Sequence, residues 1–227
     1  MPSELFLGEK YRPVLSAAVP DAIWLPENPY VDSRLSGHAD LCIFSDGSVL
    51  YASPYLQKFL SEQGIEAVYT KDNPGKAYPS DARFNIFCNE SCVVYNSNSA
   101  DPEIISKLTD YGKQLIDVSQ GYSACSILGV DSDSFITADE GIYRAFEQYK
   151  YNVLKIAPGY ISLDGFGYGF IGGSAIKPDE STVAFTGSLS GHPDCDRIIG
   201  FIKEKGKSVE FLTNFPVFDI GGAVIRP

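Results

Sequence analysis

The 227 residues carry 18 Lys and Arg against 29 Asp and Glu, a net charge of −11, with 44% hydrophobic and 21% charged residues. A chain of this length and balance can bury a substantial core in one domain. Its acidity opposes the basic face that a nucleic-acid backbone or an anionic membrane surface requires, and no apolar run approaches the ~20 residues of a bilayer span.

Residues 1–10 lack the basic and apolar regions of a secretory leader. Five cysteines, an odd number with no C-x-x-C spacing, suit reduced thiols in a cytoplasmic protein better than a disulfide framework. Cys88 and Cys92 flank a turn at Asn89-Glu90 and need not share a metal.

In chain order, residues 14–18 and 22–25 predict strands with no helix between them. Residues 41–44 and 49–52 flank Asp46-Gly47, a strong hairpin signal. Ser53-Pro54 then opens a helix striped by Leu56, Phe59 and Leu60, and a strand follows at 66–69. Residues 73–75 read as a loop. Arg83 and Asn85 fall on the inner strand of the next unit, whose helix starts at Asp101-Pro102-Glu103, carries Ile104, Ile105 and Leu108, and stops at Gly112 before a strand at 114–118.

The third unit pairs 127–130 with 135–137 around a turn at 131–133. Thr137 and Glu140 have the spacing of a capping box, Ile142, Ala145, Phe146 and Tyr149 form the helix stripe, and a strand follows at 153–156. After a loop at 158–169, strands at 169–175 and 183–186 flank a turn at 177–180. His192-Pro193-Asp194 opens the fourth helix, with Ile198, Ile199 and Ile202, and Gly206 closes it before a strand at 208–212.

The plan strand, strand, helix, strand thus repeats over 36–70, 81–118, 122–157 and 166–213, the mark of a ring of like units. A half-copy at 219–227, with one strand at 221–225, would pair with the N-terminal segment, so that 214–227 and 1–35 complete a fifth unit. Such closure removes free sheet edges and gives an α/β propeller of one domain, 1–227.

Several residues suit chemistry at the centre of such a ring. His38 beside Asp40 has the makings of a general base held by a carboxylate, or of a strand-end cap. Cys125, placed at the start of an inner strand near Ser123, reads as a nucleophile or as a small core thiol. His192, Asp194 and Cys195 could join His38 in a metal site, but a helix start explains them better. Arg83, Asn85 and Tyr168 are candidates to orient a small polar ligand, with a structural ion pair the rival for Arg83. Gly172 and Gly173 suit close backbone approach, and no phosphate-loop or dinucleotide motif is present.

Three phrases connect this arrangement with a known superfamily. Ser36-Gly37-His38-Ala39-Asp40, Gly172-Gly173 and Asp219-Ile220-Gly221-Gly222 resemble the motifs of the penteins, the guanidine-modifying-enzyme fold, across nearly the whole chain. Gln120-Gly121-Tyr122 leading into Cys125, the run from Gly167 to Gly173 and His192-Pro193-Asp194 are similar to a bacterial branch of that superfamily with no assigned activity. The resemblance implies five units about a pseudo-fivefold axis and a catalytic histidine at His38, with Gly172, Gly173, His192 and Asp219 near the ligand. It also implies a nucleophilic cysteine after the last glycine pair and an acid before Gly-Gly. This chain has residues 223–227 and Ile171 there instead. A guanidinium needs a carboxylate partner, so the standard site is altered.

The expectation is therefore a hydrolase or amidinotransferase-like enzyme without a cofactor. Cys125 would attack an amidine-type carbon, His38 would move the proton and Asp40 would orient His38. A small polar substrate, preferably cationic, suits the acidic chain. The alternatives are a non-catalytic ligand-binding or interaction module and, more distantly, metal-assisted hydrolysis through the two histidines.

Overall fold

The computed structural model describes residues 4–109 and 112–226. Strand β1 (Glu4–Gly8) leads through a helical segment ending in α1 (Arg12–Leu15) to β2 (Ile23–Leu25), which runs parallel to β1. Next, β3 (Ile43–Ser45) pairs antiparallel with β4 (Leu50–Ala52), and after α2 (Gln57–Glu62) strand β5 (Val68–Tyr69) joins β4 in parallel. The order recurs in β6 (Phe87–Cys88), β7 (Cys92–Tyr95), α3 (Pro102–Leu108) and β8 (Gln114–Asp117). It recurs again after α4 (Ser123–Ser126), in β9 (Ile127–Gly129), β10 (Ser134–Thr137), α5 (Glu140–Gln148) and β11 (Asn152–Lys155). A further copy is β12 (Ala175–Asp179), β13 (Thr182–Phe185), α6 (Cys195–Glu204) and β14 (Ser208–Phe211). Last comes β15 (Val224–Arg226), antiparallel to β1 with Leu5 opposite Ile225.

The described residues thus form five three-stranded sheets. In four of them an antiparallel hairpin supplies two strands, in the fifth the antiparallel pair is made by the first and last strands, and in each a crossover supplies a parallel third strand, the connection a parallel neighbour requires. The four longer crossovers bury the same helical pair, four residues apart: Leu56/Leu60, Ile104/Leu108, Ile142/Phe146 and Ile198/Ile202. Each such side chain contributes about 1.5–3 kcal/mol of transfer free energy. Tyr149 ends its stripe outside the core, 45% exposed.

The core is divided among wedges between sheets. Phe6, Leu25, Ile43 and Leu50 join the β1 and β3 sheets; Phe44, Tyr51, Ile86 and Val93 join the β3 and β6 sheets. Val94, Ile116, Ile127 and Phe135 link the next pair, and Leu128, Ile136, Val183 and Phe185 the pair after it. Leu7, Leu15, Ile176 and Ile220 bring the β12 sheet back against the β1 sheet.

The structure corrects three local expectations. Residues 14–18 form no strand: α1 spans Arg12–Leu15, with proline near its start, and the strand lies earlier at β1. Residues 169–175 form no strand either, because β12 begins at Ala175 and runs through most of the supposed turn at 177–180. The Thr137 capping box is absent. Asp139 caps α5 by accepting from the Ile142 amide, while the Thr137 hydroxyl donates to the Ser126 carbonyl. The helix start at Ser53-Pro54 lies where expected, with Pro54 at the first helical position, and Asn73 Oδ1 adds a cap from a distance by accepting from the Tyr55 amide and the Ser53 hydroxyl. Met1, Pro2, Ser3 and Pro227, which belong to the predicted fifth unit, lie outside the described residues. No described helix is long and apolar enough to cross a membrane.

Candidate functional site

The site arises where the chain turns into the inner strands. A tight helical turn precedes each: Ala39–Leu41 before β3, Ser80–Ala82 before β6, α4 before β9 and Gly172–Ser174 before β12. Ahead of β15, Gly221 and Gly222 adopt φ of +76° and +64°, conformations that glycine enters freely. These turns carry the candidate polar groups: His38 and Asp40 at the first, Asn85 at the second and Cys125 at the third. Asp219 stands just before the glycine pair. Asn85 and Cys125 therefore leave the inner strands expected for them: Cys125 sits in α4, and Asn85 in the link between the Ser80–Ala82 turn and β6.

Long-range hydrogen bonds tie the turns together. The Cys125 thiol donates to Asp40 Oδ2 at 2.6 Å, across 85 residues of sequence. Asn85 Nδ2 donates to Asp40 Oδ2 at 2.7 Å and to Cys125 Sγ at 3.2 Å, while its Oδ1 accepts from the Cys125 amide at 3.2 Å. Asp219 accepts from the amides of Gly221 and Phe170, each at 2.8 Å. His38, Cys125 and Asp219 each bring one ligand-type atom within 4.8 Å of the other two. The expected Asp40–His38 bond is not made. Asp40 holds the thiol instead, and His38 Nε2 and Asp40 Oδ1 are buried without a hydrogen-bond partner.

Burial governs the electrostatics. It pushes Asp40 up to about 8, against the bonds from Cys125 and Asn85 that favour the carboxylate. Asp219 rises to about 6 for the same reason, opposed by its two backbone donors. Burial holds the Cys125 thiol well above its usual range, and Asp40 and Asp219 add to the effect. His38 falls to about 3 through burial, with Lys10 a lesser cause, so its imidazole is neutral. Among the described residues neither Asp40 nor Asp219 has an ion-pair partner.

A cavity of about 240 Å³ opens onto His38, Cys125 and Asp219. Its remaining wall is apolar and aromatic: Leu35, Leu41, Tyr122, Leu163, Phe166 and Phe170, with Tyr168 and Gly167 at the edge. Of these wall residues only Tyr168 is expected from the sequence to meet a ligand, and it is 46% exposed. The others looked like ordinary core or loop positions. The one sequence signal was the aromatic and glycine density of the run from Phe166 to Phe170.

Arg83, Ser123, Gly172, Gly173 and His192 do not line this cavity. Arg83 forms an ion pair with Asp101 at 2.6 Å, the structural reading of that residue. The Ser123 hydroxyl donates to the Gln120 carbonyl. Gly172 packs against the carbonyls of Ala124 and Ile127, and Gly173 against the Asp219 carboxyl, so both glycines allow close approach and offer no side chain to a ligand. His192 has partners of its own: its Nδ1 accepts from the Asp194 amide at the start of α6, and its ring lies 5.4 Å from that of Tyr160. The two histidines therefore build no common metal site, and the one cluster of metal-ligand type among the described residues contains His38 alone of the pair.

Residues 8–224 match the model of a family of unknown function, DUF6873. The chain belongs to the DUF6873 family. No curated protein matches its sequence. Solved structures with the same fold include dimethylarginine dimethylaminohydrolase from Pseudomonas aeruginosa in complex with citrulline (TM-score 0.56, 10% identity, 94% of this chain and 84% of that one). Agmatine deiminase from C. jejuni with substrate bound is similar at TM-score 0.54 and 9% identity, over 99% of this chain and 94% of that one. An inosamine-phosphate amidinotransferase from Streptomyces griseus aligns at TM-score 0.50 and 12% identity, over 93% and 77%. All three are penteins, and this DUF6873 chain shares their fold.

Proposed function

We propose that this protein is a cysteine-dependent hydrolase or amidinotransferase acting on a small amidine or guanidine, and that its five sheets form a single-domain ring about a pseudo-fivefold axis. The closed succession of core wedges supports the ring. The observation that carries the chemistry is the meeting of Cys125, His38 and Asp219 at the cavity floor, with the thiol already bonded to an acceptor at Asp40. Activities of the three similar structures point the same way.

In this reading the amidinium lies against Asp219, whose carboxylate accepts from its N–H groups. Its positive charge answers two buried carboxyl groups that lack a counter-ion, and draws the thiol toward thiolate. Sulfur bonds to the planar carbon as its proton passes to Asp40. The carbon–nitrogen bond then breaks, and the departing nitrogen takes that proton. Water, or an acceptor amine in a transferase, attacks the thioimidate-type adduct while His38 accepts its proton. As the carbon–sulfur bond breaks, the proton held by His38 passes to the departing sulfur, which restores the Cys125 thiol and the neutral imidazole. The apolar wall suits an alkyl or aryl body on the substrate.

A non-catalytic binding module is the second reading, favoured by the burial of Cys125, 3% exposed, and by its raised pKa. The deciding experiment is incubation with alkyl- and arylguanidines while ammonia or amine release is measured and Cys125 adducts are sought by mass spectrometry. Release that disappears in Cys125→Ser supports the enzyme. Absence of release, with no Cys125 adduct from chloroacetamidine, leaves the binding module.

A further inference from the structure

The cavity floor gathers a nitrogen, a sulfur and an oxygen donor, the set that a borderline-soft divalent cation takes. The three atoms, from His38, Cys125 and Asp219, lie within 4.8 Å of one another, and all three residues are buried. Ligand atoms around tetrahedral zinc lie roughly 3.3–3.8 Å apart, given bonds of about 2.0–2.3 Å, so the set closes on an ion with shifts of about 1 Å. A second observation points to a missing partner. His38 is 3% exposed, and its Nε2 is buried without a hydrogen bond. Asp40 Oδ1 is buried unpartnered as well, and a methyl group built on Gly221 would lie 2.6 Å from Asp40 Oδ1 and from His38 Cβ, so the Asp40 carboxyl and the base of the His38 side chain meet at Gly221. Buried polar atoms are ordinarily bonded, and buried carboxyl groups are ordinarily compensated by a cation or a proton.

The donors are held by different parts of the chain. His38 precedes the turn into β3, Cys125 lies in α4, and Asp219 is fixed by the amides of Phe170 and Gly221. Each Asp219 oxygen keeps a lone pair for a second partner. All three donor residues line the cavity, so a fourth ligand to an ion held by them would come from the cavity side.

We propose that His38, Cys125 and Asp219 form a binding site for one zinc-class divalent cation, and that the bound ion excludes the cationic substrate from the same floor. On binding, the sulfur–hydrogen bond breaks, a sulfur–metal bond forms, and the proton leaves by way of Asp40 to solvent. The site itself does not depend on the amidine chemistry; the competition does.

The test is titration of chelator-treated full-length protein with Co²⁺, a coloured stand-in for Zn²⁺. One equivalent should bind with thiolate-to-cobalt charge-transfer absorption. Cys125→Ser should abolish that absorption, while Cys88→Ser and Cys195→Ser retain it. No charge-transfer absorption, or absorption that survives in Cys125→Ser, overturns the site. A measurement on the wild-type chain guards against a variant that fails to fold. Saturating Zn²⁺ should slow iodoacetamide labelling of Cys125 at least tenfold and leave Cys195 unaffected, and unchanged Cys125 labelling overturns the site. Metal binding without any amidine turnover would sink the catalytic reading alone, and turnover without metal binding would sink this one alone.

Discussion

The Cys125 thiol donates to Asp40 Oδ2 at 2.6 Å, and Asn85 bonds to both partners. Asp40 is thus placed as the acceptor of the thiol proton, and its charge is among the causes that hold the thiol above its usual range. Asp40→Asn keeps the shape and removes that charge. The pH profile of Cys125 alkylation should move to lower pH, with labelling by iodoacetamide about tenfold faster at pH 8, since one pKa unit is a factor of ten. Turnover should fall at least a hundredfold, because the proton acceptor is gone. A profile that stays in place or moves to higher pH refutes the placement.

Without substrate the same thiol is buried and protonated, whereas Cys88 and Cys195 are only partly covered. Neutral iodoacetamide should therefore label Cys195 and Cys88 ahead of Cys125. Chloroacetamidine, whose cationic head matches Asp219, should reverse the order and label Cys125 first. Peptide mapping after substoichiometric treatment reads both orders. Cys125 trailing in both experiments would remove the amidine-binding role of Asp219.

Much of this was visible in the residues, and the omissions have a common cause. The repeats, the four helix stripes and the His38 phrase are local patterns, legible from spacing and from proline at helix starts. The partner of Asp40 lies 85 residues away and was assigned to His38, its sequence neighbour, because spacing cannot report a contact made across turns. The short helical turns before the inner strands are not legible in the sequence because three or four residues carry no periodicity, so the pattern extends the strands back over Cys125 and Asn85. The cavity wall was missed because Leu35, Leu41 and Leu163 resemble any core leucine until neighbouring loops bring them together. The apolar content of residues 14–18 suggests a strand, whereas Pro13 near the start of α1 fits the first turn of a helix.

Stability should report the buried acids. A carboxyl whose folded pKa is raised makes the fold most stable below its unfolded value and less stable as pH rises to the folded value. For Asp40 that window runs from its ordinary 3.8 to about 8, and for Asp219 from 3.8 to about 6. His38 acts in the opposite direction, since its folded value of about 3 makes stability rise with pH up to its ordinary 6.5. The two effects oppose each other below pH 6.5, leaving Asp40 as the dominant site group above it. Unfolding free energy should drop by about 1–2 kcal/mol between pH 6.5 and 8, given ~1.4 kcal/mol per unit. Asp40→Asn should flatten that interval in urea titrations. An unchanged slope in the variant would mean that Asp40 is ionised across the whole range.

Gly221 separates backbone strain from close packing. Gly221 and Gly206 have similar angles, φ +76° and +72°. A methyl group at Gly206 meets open space, whereas at Gly221 it would lie 2.6 Å from Asp40 Oδ1 and from His38 Cβ. Gly206→Ala should cost about 1 kcal/mol, the strain of a positive φ. Gly221→Ala should cost about 2–4 kcal/mol, because overpacking is added to that strain, and it should displace His38 and Asp40. Denaturant unfolding of both variants decides the matter. Equal losses would show that the site yields freely around Gly221.

The cavity wall makes the final prediction, one about specificity. Phe166 and Tyr168 border the floor and are 39% and 46% exposed, so either can be truncated without opening the core. An aryl body on the substrate would stack on these rings and lose about 1–1.5 kcal/mol of contact with each truncation. Phe166→Ala and Tyr168→Ala should each weaken phenylguanidine binding about tenfold while leaving guanidine itself unchanged. Calorimetric titration into the Cys125→Ser background reads affinity without turnover. Equal weakening for both ligands would place the rings in support of the floor, and no weakening for either would put the substrate body elsewhere, toward Lys10 and Arg34 in the adjoining cleft.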